Sequence, residues 1–330
     1  MRRTLLVLLG IFFVAVILIP AAVIWLFSGP ESRVRVETGE AAIRVYFHQT
    51  GQIKVMPLEE YLVGVVAGEM PAKFHLEALK AQAVASRTYA LRRIMQRADV
   101  TNPRHPAADV CTDPTHCQAW MSRDEMKRRW GLWDYVRHRE HIEQAVAKTA
   151  NLVLTHQGRL IEPVFHANAG GRTENSEEVW QHGLPYLRSV NSPWDLQAPR
   201  AETVVSFSLH EADRLLGTSL AAQPAARLAS SPREALRVTA RSSTGRAREV
   251  IITGKKFTGT ELRRMLGLRS TKFNWEIKGD RLVFTVRGHG HGVGMSQYGA
   301  NGMAQAGKTF REILTHYYTG AEFSRYGQQR

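Results

Sequence analysis

The chain has 330 residues, 44% of them apolar, and a formal net charge of +14. Beyond an apolar N-terminal stretch, about 300 residues remain, enough for one large or two medium domains with a sizeable core. No second apolar span, internal repeat or long low-complexity tract follows, which excludes a multi-pass membrane protein and a repeat array.

Met1-Arg2-Arg3 precedes an apolar run from Thr4 to Phe27. The run exceeds both the ~20 residues that span a bilayer and the 7–15 of a cleaved signal's core. It is expected to be an uncleaved single-pass anchor over residues 1–28, with the arginines holding the N-terminus in the cytoplasm. The soluble region then lies outside, which excludes nucleic acid as a partner. Basic residues at Arg92-Arg93, Lys127-Arg128-Arg129 and Arg263-Arg264 fit either attraction to an anionic polymer or a solvated surface.

Alternating apolar residues from Val34 to Phe47, continued by Ile53 and Val55, predict short strands. Pro57 opens a helical stretch through Leu62 and Val66, and Pro71 marks a turn or a helix start. Leu76, Leu79, Ala83, Ala90, Leu91 and Ile94 recur at helical spacing, predicting a helix to about Gln96 whose alanines allow close packing. Thr101 to Gln118 is a Pro/Asp/His/Cys-rich loop. A second helix is expected over His138 to Thr149. Leu152–Leu154 and Leu160-Ile161 then flank a Gln157-Gly158 turn, and Phe165 to Thr173 is a polar turn. Arg200 to Arg246 has weak periodicity and reads as an elaboration. Strands resume at Val250–Ile252 and Leu282–Val286. A glycine-rich loop, Gly288 to Gly294, opens a final helical region ending near Tyr318. That loop lacks the residue order and the lysine of a phosphate cradle.

Glu69, in the segment Tyr61 to Pro71, is the foremost candidate. It reads either as a charge at a helix N-terminus, where the macrodipole favours it, or as a general acid with a pKa raised by apolar neighbours Val66 and Met70. Cys111 and Cys117, with His105 and His116, carry three readings. Outside the cytoplasm two cysteines form a disulfide, two thiolates and two imidazoles also suit tetrahedral zinc, whether or not all four ligate, and free thiols are the third. His289 and His291 form an H-x-H pair that does not make a metal site alone.

Four segments carry a family resemblance: Tyr61–Tyr89 (YLVGVVAGEMPAKFHLEALKAQAVASRTY), Phe165–Trp180 (FHANAGGRTENSEEVW), Thr258–Leu268 (TGTELRRMLGL) and Gly288–Ala300 (GHGHGVGMSQYGA). The chain resembles the stage II sporulation protein D family of peptidoglycan lytic transglycosylases. The resemblance implies that Glu69 is the catalytic acid/base, cleaving the MurNAc–GlcNAc bond of denuded glycan strands to give 1,6-anhydro-MurNAc ends. It implies an active-site supporting role for Arg87 on the following helix, where Arg87 and Tyr89 also read as a buried clamp and core. His166, Asn168, Thr173, His289, His291, Ser296, Gln297 and Tyr298 are expected along the glycan cleft or as structural turn residues. Some family members bind zinc near the cleft through Cys and His at similar spacing. Expected partners are peptidoglycan strands, an amidase that removes stem peptides and an integral membrane scaffold, at the engulfment septum and forespore membrane.

The expected fold is α+β and two-lobed with a cleft: 1–28 anchor, 29–195 catalytic lobe, 196–330 second lobe packing back on the first. Two rivals stand beside the transglycosylase. One is a hydrolase with a second carboxylate, Glu77 or Asp109, opposite Glu69. The other is a non-enzymatic wall-binding module that activates an amidase.

Overall fold

The computed structural model describes residues 41–98, 102–180 and 182–327, with Val16 alone before them. The expected anchor therefore lies outside the described residues. Among these, no helix is long and apolar enough to cross a membrane.

β1 (Ala42–Phe47) and β2 (Gln52–Pro57) form an antiparallel hairpin. The chain runs directly into α1 (Leu58–Glu69) and, after the Pro71 turn, into α2 (Leu76–Met95). β3 (Val110–Cys111) then adds parallel to β1, and α3 (Arg123–Ala147) packs across α1 and α2. The small residues Ala78, Ala81, Ala83 and Ala85 are fully buried, so the neighbouring helices approach α2 closely. β4 (Leu152–His156) and β5 (Arg159–Leu160) form the expected hairpin about Gln157 and Gly158, both at positive φ.

α3 begins about 15 residues before the expected His138. Its start is fixed by a Ser122/Glu125 capping box rather than by an apolar stripe. Leu132, Trp133 and Val136 point to solvent, and Gly131 kinks the helix at φ 72°. These features erase the 3.6-residue period on which the sequence expectation rested.

Short strands β6 (Phe165–His166), β7 (Gly171–Arg172) and β8 (Asn191–Ser192) follow. β9 (Glu202–Ser208), α4 (Leu209–Leu216), α5 (Ala225–Ser230), α6 (Pro232–Ala235), β10 (Leu236–Arg241), β11 (Ala247–Ile252), β12 (Lys255–Thr258), α7 (Gly259–Met265), β13 (Phe273–Lys278) and β14 (Arg281–Arg287) build a second core. Two antiparallel sheets, β10-β11-β12 and β13-β14-β9, enclose it. The stretch from Arg200 to Arg246 is thus part of a core and not an elaboration. Leu209, Ala212 and Leu216 lie on one buried face of α4. Each buried leucine contributes roughly 1.5–3 kcal/mol, which holds a helix far too short to persist alone.

The chain then returns to the first core. β15 (Met295–Ser296) pairs parallel with β6, α8 (Gln297–Gln305) and α9 (Phe310–Tyr317) pack on α2, and β16 (Glu322–Arg325) pairs with β4. The described residues form a mixed α+β structure of small sheets, none of them closed. This return brings residue 297 to residue 69.

Candidate active site

Glu69 is the last residue of α1, not the first of a helix. Met70 is extended (φ −118°, ψ 147°) because Pro71 follows. A carboxylate at a helix C-terminus faces the unfavourable end of the macrodipole, so the charge-at-a-helix-start reading is removed. The side chain is half-buried. Its Oε1 accepts the Ala119 N–H at 2.6 Å, and Oε2 lies 3.4 Å from Gln297 Nε2. Gln297 Nε2 also reaches Gln82 Oε1 at 3.3 Å, on α2. Burial pushes the Glu69 carboxyl up to about 7, against the opposing pull of the Ala119 and Gln297 hydrogen bonds.

A recess of about 440 Å³ opens beside the end of α1, lined by Gly68, which precedes Glu69, by Ala119, which donates to it, and by Trp120 and Arg128; Glu69 itself is not among the lining residues. It shares Trp120, Met121, Glu125 and Arg128 with a larger groove of about 510 Å³ along β2. Trp120 packs edge-on against Phe47 (5.1 Å between centroids), and its ring lies where a side chain at Gly64 would stand. Only glycine at 64 admits the indole, so α1 positions both the acid and the wall of the recess.

The loop before α3 brings four ligating groups together. Donor atoms of His105, Cys111, His116 and Cys117 all lie within 4.8 Å of one another. Cys111 Sγ is 3.3 Å and Cys117 Sγ 3.5 Å from His116 Nδ1, and Cys117 Sγ is 3.4 Å from His105 Nε2. The sulfurs are free thiols, not a disulfide. The neighbours His116 and Cys117 both face the cluster because Asp113 O accepts both their N–H groups in a tight turn. His105 Nδ1 lies 3.1 Å from Ala108 O, which orients the ring. The closeness of the two thiols pulls Cys117 down to about 5 and, together with burial, raises Cys111. These residues can hold a divalent metal.

Arg87 does not reach a recess. It is 1% exposed, binds Glu59 through two hydrogen bonds of 2.8 and 2.6 Å, and donates to the carbonyls of Val146 and Leu152. It ties α1, α2, α3 and β4 together and is a buried clamp, with no donor left for a substrate. Arg87→Ala is expected to lower unfolding stability by about 3 kcal/mol, the lower end for breaking a buried pair because Glu59 is partly solvated. A shift in urea midpoint at constant m would measure this, and an unshifted midpoint would contradict the clamp. Tyr89 packs under Arg93 (5.1 Å), is half-buried, and lies close enough to Cys117 for each to influence the other's ionisation, so it borders the Cys/His cluster.

The remaining candidates divide. Ser296 caps α8 and donates to buried Asp195 at 2.5 Å, holding Gln297 in place. Asp195 also accepts the Ala169 N–H, and Asn168 donates to its carbonyl. Tyr298 packs edge-on against Phe74 (5.1 Å). Thr173 is buried and accepts the Val190 N–H. His289 sits 3.0 Å from Arg269, whereas His291 lies beside His166 (5.4 Å). Burial lowers the pKa of all three histidines, His291 to about 4, so they are neutral at pH 7. The H-x-H pair is split to two sides. Gly292, at φ 89°, is required because a Cβ there would strike the Arg246 guanidinium. Sequence reasoning missed Ala119, Gln82, Trp120 and Asp195. A backbone donor carries no residue-type signal, and the contacts that place the other three, Trp120 with Phe47, Asp195 with Ser296 and Gln82 with Gln297, join residues about 70–215 positions apart in the chain.

A helix that ends in an acid whose pKa is raised to about 7, with its chain neighbour Gly68 and its hydrogen-bond donor Ala119 lining a recess and a Cys/His cluster two residues before that donor, defines a candidate acid/base site on an α+β scaffold. Residues 46–156 match the family model described as Stage II sporulation protein. The chain is 40% identical over 283 residues to Stage II sporulation protein D of Bacillus amyloliquefaciens, covering 86% of this chain and 78% of that one. It is 39% identical over 283 residues to Stage II sporulation protein D of Bacillus subtilis (strain 168), covering 86% and 79%. It is 28% identical over 313 residues to the Amidase enhancer of Bacillus subtilis (strain 168), covering 80% of this chain and 40% of that one. The chain belongs to the stage II sporulation protein D family.

Proposed function

We propose that this chain is a lytic transglycosylase of peptidoglycan. The observation that carries the reading is Glu69, a half-buried carboxyl with a pKa raised to about 7. As an acid it gives its proton to the glycosidic O4 as the C1–O4 bond breaks. As the resulting carboxylate it takes the proton of the MurNAc 6-hydroxyl while O6 bonds to C1, leaving an anhydro ring and a regenerated acid. One carboxyl serves both steps. Glu77 is held by Lys80 and the Phe310 N–H, and Asp109 by Arg44 and Arg97. Neither is free to act as the second carboxylate of a hydrolase, which supports transglycosylation.

The Cys/His cluster is a zinc site in this reading. A tetrahedron with Zn–S of about 2.3 Å and Zn–N of about 2.0–2.1 Å has edges of about 3.3–3.8 Å, which agrees with the 3.3–3.5 Å sulfur–nitrogen separations. Its effect on the acid is to order the loop that carries Ala119. The enzyme works outside the cytoplasm, tethered through residues 1–28, alongside a peptide-removing amidase and a membrane scaffold in septal remodelling and engulfment. A second reading, a non-enzymatic module that activates an amidase, draws support from the relative named Amidase enhancer.

Mass analysis of products from denuded glycan strands tests the first reading. Anhydro-muramyl ends, lighter than reducing ends by one water, are expected. Reducing ends, or intact strands, would refute it. The acid is required in its protonated form. Because desolvation raises its pKa, kcat/KM should be level below pH 6 and fall about tenfold per pH unit above about pH 7. A profile that falls instead near pH 4.5 would mean that Glu69 is solvated and ordinary.

A further inference from the structure

A separate recess of about 290 Å³ opens between β11, the start of α7 and the glycine-rich loop. Three guanidinium groups, Arg246, Arg248 and Arg263, and two carboxylates, Glu174 and Glu178, line it. Arg246 is 2% exposed. Its Nη2 donates to Ala169 O at 2.8 Å, yet Nε and Nη1 have no hydrogen-bond partner. Glu174 does not satisfy them. Its Oε2 stands 3.8 Å from Nε and is already taken by the hydroxyls of Ser242 and Thr244 at 2.6 and 2.5 Å.

Arg263 is half-buried and spends Nε on Leu268 O at 3.2 Å. Its two terminal nitrogens meet no acceptor among the described residues. Arg248 Nη1 lies 3.1 Å from Glu178 Oε2, an ion pair without hydrogen-bond alignment. Burying charged donors without acceptors is unfavourable, and among the described residues the nearby charges of Glu174 and Asp195 favour the Arg246 guanidinium without giving Nε or Nη1 a hydrogen bond.

We infer that this recess binds a carboxylate, held by Arg246 Nη1 and the terminal nitrogens of Arg263. Three guanidinium groups against two carboxylates leave one positive charge, which a monoanion balances and a phosphate dianion would overshoot. The planar guanidinium forks match the two oxygens of a carboxylate. Resting on the glycan-cleaving reading, the ligand is the lactyl carboxylate of a muramyl residue whose peptide is gone. Peptide-bearing strands have an amide there and lose the charge.

The site and the acid share a segment. His291 lines the recess and Gln297 touches Glu69, six residues apart and so at most about 20 Å. Trp180, 41% exposed and 5.3 Å from His291, gives a flat apolar surface near the mouth for a sugar ring.

The test uses the full chain carrying Glu69→Gln, so that binding is read without cleavage. Calorimetric titrations compare N-acetylmuramic acid, its lactyl N-methylamide and inorganic phosphate. The acid should bind at least tenfold more tightly than the amide, and adding Arg263→Gln should erase that preference while the melting temperature stays within a few degrees. No binding of the acid, equal binding of acid and amide, or a preference that survives Arg263→Gln overturns the site. Tighter binding of phosphate than of the acid also overturns it. A retained preference in a chain whose wild type yields no anhydro product would refute the transglycosylase and leave this site standing.

Discussion

Glu69→Gln should reduce anhydro-product formation by about 10²–10⁴-fold, the contribution of a positioned general acid/base, while the protein becomes more stable at neutral pH. The two effects have one cause. Folding raises the carboxyl's pKa from 4.5 to about 7 by desolvation. The folded state therefore holds a proton more tightly than the unfolded state. Stability is lost as pH rises from about 4.5 to about 7, and the loss is constant above that. Gln removes the ionising group. After discounting for the residual solvent contact of the partly buried side chain, the gain above pH 7 is roughly 1–2 kcal/mol, or about 2–5 °C in melting temperature, with none below pH 4.5. A structural Glu69 would show the opposite pattern, with activity kept and stability lost. Turnover of denuded strands and thermal melts at pH 4.5 and 8, on wild type and variant together, separate the two.

The sequence made the separate parts legible better than their meeting. The helix from Leu76 was readable because its apolar residues recur at 3.6-residue spacing and cover a buried face. The Cys/His cluster was readable as a set because the four ligand residues fall within 13 positions of chain. What escaped depended on tertiary placement. Glu69 lies at a helix end fixed by Pro71, so its local segment alone suggested a dipole of the wrong sign. Gln297 faces it across 228 positions, through a return of the chain that no local pattern encodes. Arg87 was ambiguous because a guanidinium suits a substrate carboxylate and a buried carbonyl cage equally. Arg200 to Arg246 hid a core in which Leu209 and Leu216 are diluted by exposed Arg and Ala.

The full chain is expected to carry one zinc per molecule, and Cys117→Ser should lose both the metal and about 10–100-fold in activity, the usual cost of disturbing the surroundings of such a site. The link to catalysis is short. Cys117 is followed by Gln118, whose side chain meets Tyr61 OH at 3.5 Å, and then by Ala119, whose N–H holds Glu69 at 2.6 Å. Trp120 next fills the space over Gly64. A metal held by Cys117, by Cys111 at β3 and by the two histidines would fix the entry to this stretch. Without it the loop pays its ordering entropy unaided, and the acid loses its orienting donor although it is no ligand itself. Activity should therefore fall with KM nearly unchanged, and adding zinc after mild chelation should restore it in wild type but not in Cys117→Ser. Metal analysis with single-turnover rates would check this. A fully active chain free of zinc, or one whose mass is lower by two hydrogens from a Cys111–Cys117 disulfide, would overturn the assignment.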